Sequence, residues 1–190
     1  MVLVCIRHAL SVFNVMGRSR PNCSLAAAGI AQAKRVVGEF NHVVCSPMLR
    51  AKQTLELSSI RYDTLEFDED AREKRDDACD FFPHEPTVRE TYIEFSVRMK
   101  RLNDKLTSLE EWNPSVLLVA HAYVVLAISR IREGKPLPMD EEDAIALALE
   151  YHGNCVPNAR LIPMPDAPSY YLHTKYPAEP TEIAESRKAE

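Results

Sequence analysis

Three side chains suited to phosphoryl chemistry stand directly behind apolar runs in this chain. Arg7 and His8 follow residues 2–6 (Val-Leu-Val-Cys-Ile), and His121 follows residues 115–120 (Ser-Val-Leu-Leu-Val-Ala). A neutral imidazole offers its lone pair to phosphorus, and covalent catalysis of this kind divides one hard step into two easier ones. Arginine is the matching cation, because its planar fork meets phosphate oxygens in pairs. Arg50 extends the set. It lies in Ser46-Pro47-Met48-Leu49-Arg50, one helical turn past a further apolar run at 41–46, so a helix there would point it back at the end of that run. Singly, these could be a sheet-capping histidine or a solvated helix arginine. Their coincidence at three run ends is what suggests a phosphate site.

The elements that must position them can be read from the pattern. Residues 2–6, 41–46 and 115–120 are short, apolar and partly β-branched, as buried strands are. A third, short strand fits 62–67 and a last one 159–164. Helical spacing covers 25–40, where Ile30, Ala33, Val37 and Phe40 would form the buried stripe and Gly29 would cost up to ~1 kcal/mol against alanine. A helix opening at Pro47 runs to about Leu57. Others cover 87–109, with Ile93, Val97, Leu102 and Leu106 inward, 122–131, and 140–150, which acidic residues open. Residues 68–86 are dense in charge and read as an irregular insertion; a loop of that length is usually functional or mobile. Alternating strands and helices give an α/β fold, a three-layer sandwich with a mostly parallel central sheet flanked by helices. Ligands of such sheets bind beyond the carboxyl ends of the strands, where Arg7, His8, Ser46 and His121 fall.

Bulk properties agree with one domain. The chain has 190 residues, 46% hydrophobic and 27% charged, enough for a real core. A domain over 1–165 followed by a proline- and charge-rich tail over 166–190 is expected. A net charge of −5 gives no general attraction to nucleic acid or acidic membrane. No run approaches the ~20 apolar residues of a membrane-spanning helix, and the short apolar start reads as a strand rather than a signal peptide. Five cysteines without a CxxC pair (Cys5, Cys23, Cys45, Cys79, Cys155) suggest neither a disulfide framework nor a zinc site, which points to a reducing, cytoplasmic location. His42, His84, His152 and His173 have no metal-ligand spacing and read as surface or structural residues.

At this point a family resemblance becomes specific. Arg7-His8-Ala9 with Asn14 resembles the Arg-His-Gly signature of the histidine phosphatase superfamily, which includes the cofactor-dependent phosphoglycerate mutases. Leu25, Gly29, Gln32 and Ala33 look like its Leu-Thr-x-x-Gly-x-x-Gln-Ala helix. Ser46-Pro47-Met48-Leu49-Arg50-Ala51 with Gln53-Thr54 looks like its Ser-Ser-Pro-Leu-x-Arg-Ala-x-Gln-Thr block, and Val119-Ala120-His121-Ala122 its late Val-x-His-Gly. The matches fall in the family's order. The resemblance implies a phosphoglycerate mutase-like sandwich in which His8 is the phosphorylated nucleophile. It also implies that Arg7, Arg50 and His121 bind the phosphoryl oxygens, with Asn14 as a further polar contact. It implies a carboxylic acid that protonates the leaving oxygen; Glu73, in Ala71-Arg72-Glu73, is the first choice, with Asp70, Asp76, Asp77 and Glu85 as competitors. Such an acid needs a raised pKa to hold its proton near neutral pH.

Ala9 and Ala122 replace family glycines, which should reposition the backbone slightly, and Leu10 replaces a polar residue beside the substrate. The chain is shorter than the family's mutases and lacks their substrate-binding sequence at 68–86, so hydrolysis is expected over phosphoryl transfer to a second substrate. A catalytically weak relative that only binds phosphorylated ligands is the reading from another class. A small phosphorylated metabolite or a phosphoprotein is the expected substrate; no metal or other cofactor is called for. Phe81 and Phe82 are expected to pack rather than stack on a ligand.

Overall fold

The structure is a computed structural model that describes residues 2–17, 20–143 and 156–164. Its elements are strand β1 (Val2–Arg7), helices α1 (Val12–Met16) and α2 (Ala27–Ala33), strand β2 (Val37–Cys45), helix α3 (Leu49–Leu57) and strand β3 (Ser59–Phe67). Two 3-10 turns follow (Glu69–Ala71 and Ala78–Asp80), then α4 (Tyr92–Trp112), β4 (Ser115–Ala120), α5 (Ala122–Arg132) and β5 (Leu161–Pro163).

The strands form one sheet in the order β3-β2-β4-β1-β5. All neighbours are parallel except β5, which runs antiparallel along the edge of β1. Side chains of β4 alternate between two cores. Val116, Leu118 and Ala120 face Phe95, Met99, Leu102 and Leu106 of α4 and Val124, Val125 and Ile128 of α5. Leu117 and Val119 face the opposite layer with Ile6, Val43 and Cys45, against Ala51 and Leu55 of α3. Covering both faces explains why β4 is a continuous apolar run with no polar alternation. Burial of each large side chain here contributes roughly 1.5–3 kcal/mol. This is the expected three-layer α/β sandwich, and none of the described helices is long and apolar enough to cross a membrane.

Two helices depart from the sequence reading. The helix expected over 25–40 ends at Ala33, and Val37 to Phe40 open β2 instead, pairing in parallel with residues 59–62 of β3. The spacing of Ala33, Val37 and Phe40 satisfies a helical period by coincidence; the strand ladder decides the outcome, and Ile30 is left exposed. The helix expected from residue 87 begins at Tyr92, behind a capping box in which Thr91 and Glu94 satisfy each other's backbone N–H groups. Its buried stripe is Phe95, Met99, Leu102 and Leu106, so Ile93 and Val97 are solvent-facing rather than core.

Segment 68–86 is also more ordered than an irregular insertion. Arg98, Arg101 and Lys105 share one face of α4 and hold it down: Arg98 donates to the carbonyls of Asp70 and Arg72 at 2.7 and 2.8 Å, Arg101 pairs with Asp70, and Lys105 with Asp68 at 2.6 Å. Arg72 closes the segment on itself through Glu85 at 2.7 Å and lies over the Phe82 ring, while Phe81 is buried. The helix expected over 140–150 lies mostly, and Cys155, His152, His173 and the tail lie wholly, outside the described residues. Cys5, Cys23, Cys45 and Cys79 are buried and form no disulfide. His42 pairs with Glu66.

Gly29 is a requirement of the fold rather than a weak point of α2. A Cβ there would lie 1.9 Å from the carbonyl oxygen of Leu10, in the loop that follows β1. Gly29→Ala must therefore push that loop aside. The expected cost is about 1–3 kcal/mol of overpacking, read in denaturant unfolding, together with reduced activity; a variant as stable as the parent would contradict this close approach.

Candidate active site

The parallel ladder sets the site. Arg7 pairs with Ala120 and Cys45 with Val119, so β1, β4 and β2 end side by side. The next residues extend the ladder: His8 donates its backbone N–H to the Ala120 carbonyl, and Ser46 donates to that of Val119, both at 2.9 Å. His8, His121 and Ser46 thereby stand in a row at the carboxyl edge of the sheet. The two imidazoles meet edge to face, with ring centroids 5.1 Å apart. Arg50, in the first turn of α3, reaches back so that its Nε lies 3.3 Å from His8 Nε2. Side chains more than forty residues apart thus converge as the strand-end reading requires.

The motif residues between them hold this geometry. Thr54 accepts the Ala9 N–H at 2.9 Å and donates to the Arg50 carbonyl at 2.7 Å, tying the loop after His8 to the helix that carries the arginine. Gln32 accepts the Leu10 N–H at 3.0 Å, and Gln53 accepts that of Leu25 at 2.8 Å. Sequence reasoning noted these residues without giving them a role, nor did it see that Ser46 orients His121.

His8 donates Nδ1–H to its neighbour's carbonyl, Ala9 O, at 2.7 Å. That fixes the tautomer: Nε2 carries the lone pair, which now accepts from Arg50. Burial lowers the His8 pKa well below its ordinary value, and the charges of Arg50 and Arg7 lower it further. His121 is wholly buried, and its pKa is lowered for the same reasons, burial first and then Arg50, His8 and Arg7. Its Nε2 meets Ser46 Oγ at 2.8 Å. Ser46 Oγ also accepts the Met48 N–H, at 3.4 Å. The Nδ1 of His121 is buried with no hydrogen-bond partner among the described residues, an unmet polar atom inside the site.

Arg7 is half-buried and donates to the Val156 carbonyl at 2.8 Å. Its charge is near enough to both histidines to shift them. Glu73 comes up at the start of α5, where its Oε2 accepts the Tyr123 N–H at 3.3 Å, two residues past His121. Burial, then the negative charge of Asp80, pushes the Glu73 pKa up to about 7, with Arg50 opposing. The competing acids are placed differently. Asp70 pairs with Arg101 and Asp76 with Lys74, and Arg72 holds Glu85 below the ordinary carboxylate range. Asp77 accepts from the turn that Asp80 closes. Asn14 is exposed, and its carboxamide oxygen accepts from Ser11 N–H and Oγ in the cap of α1; none of its hydrogen bonds reaches the histidines. No cluster of three or more His, Cys, Asp or Glu side chains able to hold a metal occurs among the described residues.

Comparison with known proteins is consistent with this geometry. Residues 3–75 match the family model of the histidine phosphatase superfamily (branch 1); His121 lies beyond the matched part. Sequence comparison with curated proteins gives no match. Among solved structures, an Escherichia coli protein provisionally described as an alpha-ribazole-5'-P phosphatase is similar at 22% identity and a TM-score of 0.64, covering 85% of this chain and 88% of that one. The alpha-ribazole phosphatase of Shigella flexneri is similar at 23% identity and a TM-score of 0.59, with the same coverage of 85% and 88%. The product of open reading frame Rv3214 of Mycobacterium tuberculosis follows at 16% identity and a TM-score of 0.61, covering 84% and 88%. Likeness at these identities establishes the fold.

Proposed function

We propose that this chain is a histidine phosphatase, the superfamily whose model residues 3–75 match, and that it is a phosphomonoester hydrolase working through a phosphohistidine on His8. The observation that carries this reading is the His8 imidazole itself: neutral, with Nδ1–H committed to a carbonyl and Nε2 holding a lone pair against Arg50.

In the first step Nε2 of His8 attacks phosphorus. The N–P bond forms as the bond to the leaving oxygen breaks, and Glu73 gives its proton to that oxygen. Arg7, Arg50 and His121, whose unpartnered Nδ1 would carry a proton, face the phosphoryl oxygens, where charge builds up. In the second step water attacks the phosphohistidine, Glu73 takes its proton, and inorganic phosphate leaves His8 neutral again. Asn14 would reach the phosphate through its amide N–H groups, since its oxygen is used in the helix cap. Each part is supplied by the chain, without a metal.

Hydrolysis is favoured over mutase-type transfer by the likeness to alpha-ribazole phosphatases. The test is a panel of phosphomonoesters, alpha-ribazole 5'-phosphate and phosphoglycerate included, compared by kcat/KM with a chelator present. Release of inorganic phosphate from p-nitrophenyl phosphate and at least one panel member is expected. Isomerisation of phosphoglycerate with little phosphate release would favour a mutase, and binding without turnover would favour a scaffold that only holds phosphorylated ligands.

A further inference from the structure

Arg50, assigned to phosphate, is occupied by the protein itself. Arg50 gives Nη1 to the Cys79 carbonyl and Nη2 to Oδ1 of Asp80, both at 2.8 Å, while its Nε rests on His8. Arg50 is 2% exposed, Asp80 5%, His8 4% and His121 0%, so no phosphoryl group can enter while this arrangement stands. Asp80 offers the guanidinium a carboxylate at hydrogen-bond distance, as a phosphate would offer its oxygens. It is carried on the turn Ala78–Asp80, which is largely self-contained. Asp80 Oδ2 accepts the Asp77 N–H at 3.0 Å, the Asp80 N–H returns to the Asp77 carbonyl at 2.9 Å, and the Asp80 carbonyl accepts from Arg72 at 2.8 Å. The turn belongs to no strand ladder.

Resting on the reading of Arg50 as a phosphate ligand, we propose that the turn 77–80 is an internal competitor for the phosphate subsite: Asp80 holds Arg50 in the empty enzyme and must leave before a phosphomonoester can bind. A buried guanidinium cannot stand without an anion, because an unpaired buried charge is strongly destabilising. Asp80 supplies that anion until the substrate does. The two cannot share the site. A phosphate dianion on Arg50 would lie against Asp80, with Asp77 and Glu73 close by, and like charges at such range repel. The exchange also draws Arg50 toward the phosphate and off His8 Nε2, so arrival of the substrate uncovers the lone pair that attacks it. A role for Asp80 in merely holding the Arg50 fork during catalysis makes the opposite prediction, since its loss would then weaken phosphate binding.

The experiment is calorimetric titration of the full chain with inorganic phosphate, comparing the parent, Asp80→Asn and Arg50→Ala. If the closed arrangement fills about nine-tenths of the empty enzyme, Asp80→Asn should tighten the phosphate Kd about tenfold. The KM for p-nitrophenyl phosphate should fall with it. Unchanged or weaker phosphate binding by Asp80→Asn overturns the proposal. Arg50→Ala separates the two levels: if it binds phosphate as tightly as the parent, the assignment of Arg50 fails and the competitor fails with it. Loss of binding in Arg50→Ala without a gain in Asp80→Asn sinks the competitor alone. Should Asp80→Asn not fold, amide hydrogen exchange of the parent decides. Asp77 and Asp80 amides are expected to lose protection at saturating phosphate, and unchanged or increased protection contradicts the exchange.

Discussion

His8→Ala is expected to lower phosphomonoester turnover by about 10⁴–10⁶-fold, the scale of removing a covalent nucleophile. No other group near phosphorus can substitute. His121 is wholly buried, with Nε2 held on Ser46. The fold should survive. His8 is buried uncharged, so its removal leaves a small cavity and frees the Arg50 Nε, at a stability cost of about 1–3 kcal/mol. Steady-state kinetics with p-nitrophenyl phosphate, beside an unfolding curve, checks both halves. Residual activity within tenfold of the parent, in a folded variant, would mean that another group attacks.

Glu73→Gln has the second largest expected effect, and its size should depend on the leaving group. Alkyl phosphates leave as strongly basic alkoxides and need the proton, so kcat/KM should fall by about 10²–10⁴-fold. p-Nitrophenolate leaves as a weak base, and the first step with p-nitrophenyl phosphate should suffer far less. The parent should lose activity on alkyl phosphates as pH rises through about 7, where Glu73 gives up its proton. The Gln variant should lack that limb. Equal losses on both substrates would argue against Glu73 as the leaving-group acid.

The same carboxyl fixes a sign in stability. Its folded pKa is raised from the ordinary 4.5 to about 7. The folded state therefore binds the proton more tightly than the unfolded chain, and the associated stability is present below 4.5 and lost as pH rises toward 7. Glu73→Gln should stabilise the protein at pH values above 7, by up to roughly 3 kcal/mol. The lowered pKa values of His8 and His121 act the other way: their contribution is present above the ordinary histidine value of 6.5 and is lost as pH falls.

The strand ends and their residues could be read from sequence because β1, β4 and the carboxyl end of β2, Val43 to Cys45, are covered on both faces. A doubly buried strand must be apolar throughout, so its polar successor marks the sheet edge. Arg7-His8, Ser46 and His121 are such successors, and Arg50 stands one helical turn beyond Ser46. Elements with one exposed face were harder. Residues 33–40 satisfy a helical period and yet form a strand, since pairing with β3 outweighs local spacing. The stripe of α4 was misphased because Ile93 and Val97 repeat at helical spacing on its solvent face. The capping box Thr91-x-x-Glu94 was a local signal that would have set its start. Asp80 had none: its place on Arg50 depends on the tertiary path of 68–86, which is drawn over α4 by Arg98, Arg101 and Lys105.

Trapping the covalent intermediate bears most directly on the role of His8. A phosphoramidate is labile in acid and stable in base, so the protein would be mixed with excess labelled phosphomonoester, quenched in alkali within the first turnover and mapped by peptide. The predicted result is acid-labile, base-stable phosphate on the peptide that contains His8, approaching one per chain and absent from His8→Ala. Turnover at an undiminished rate with no such label, or with the label on another residue, would contradict it.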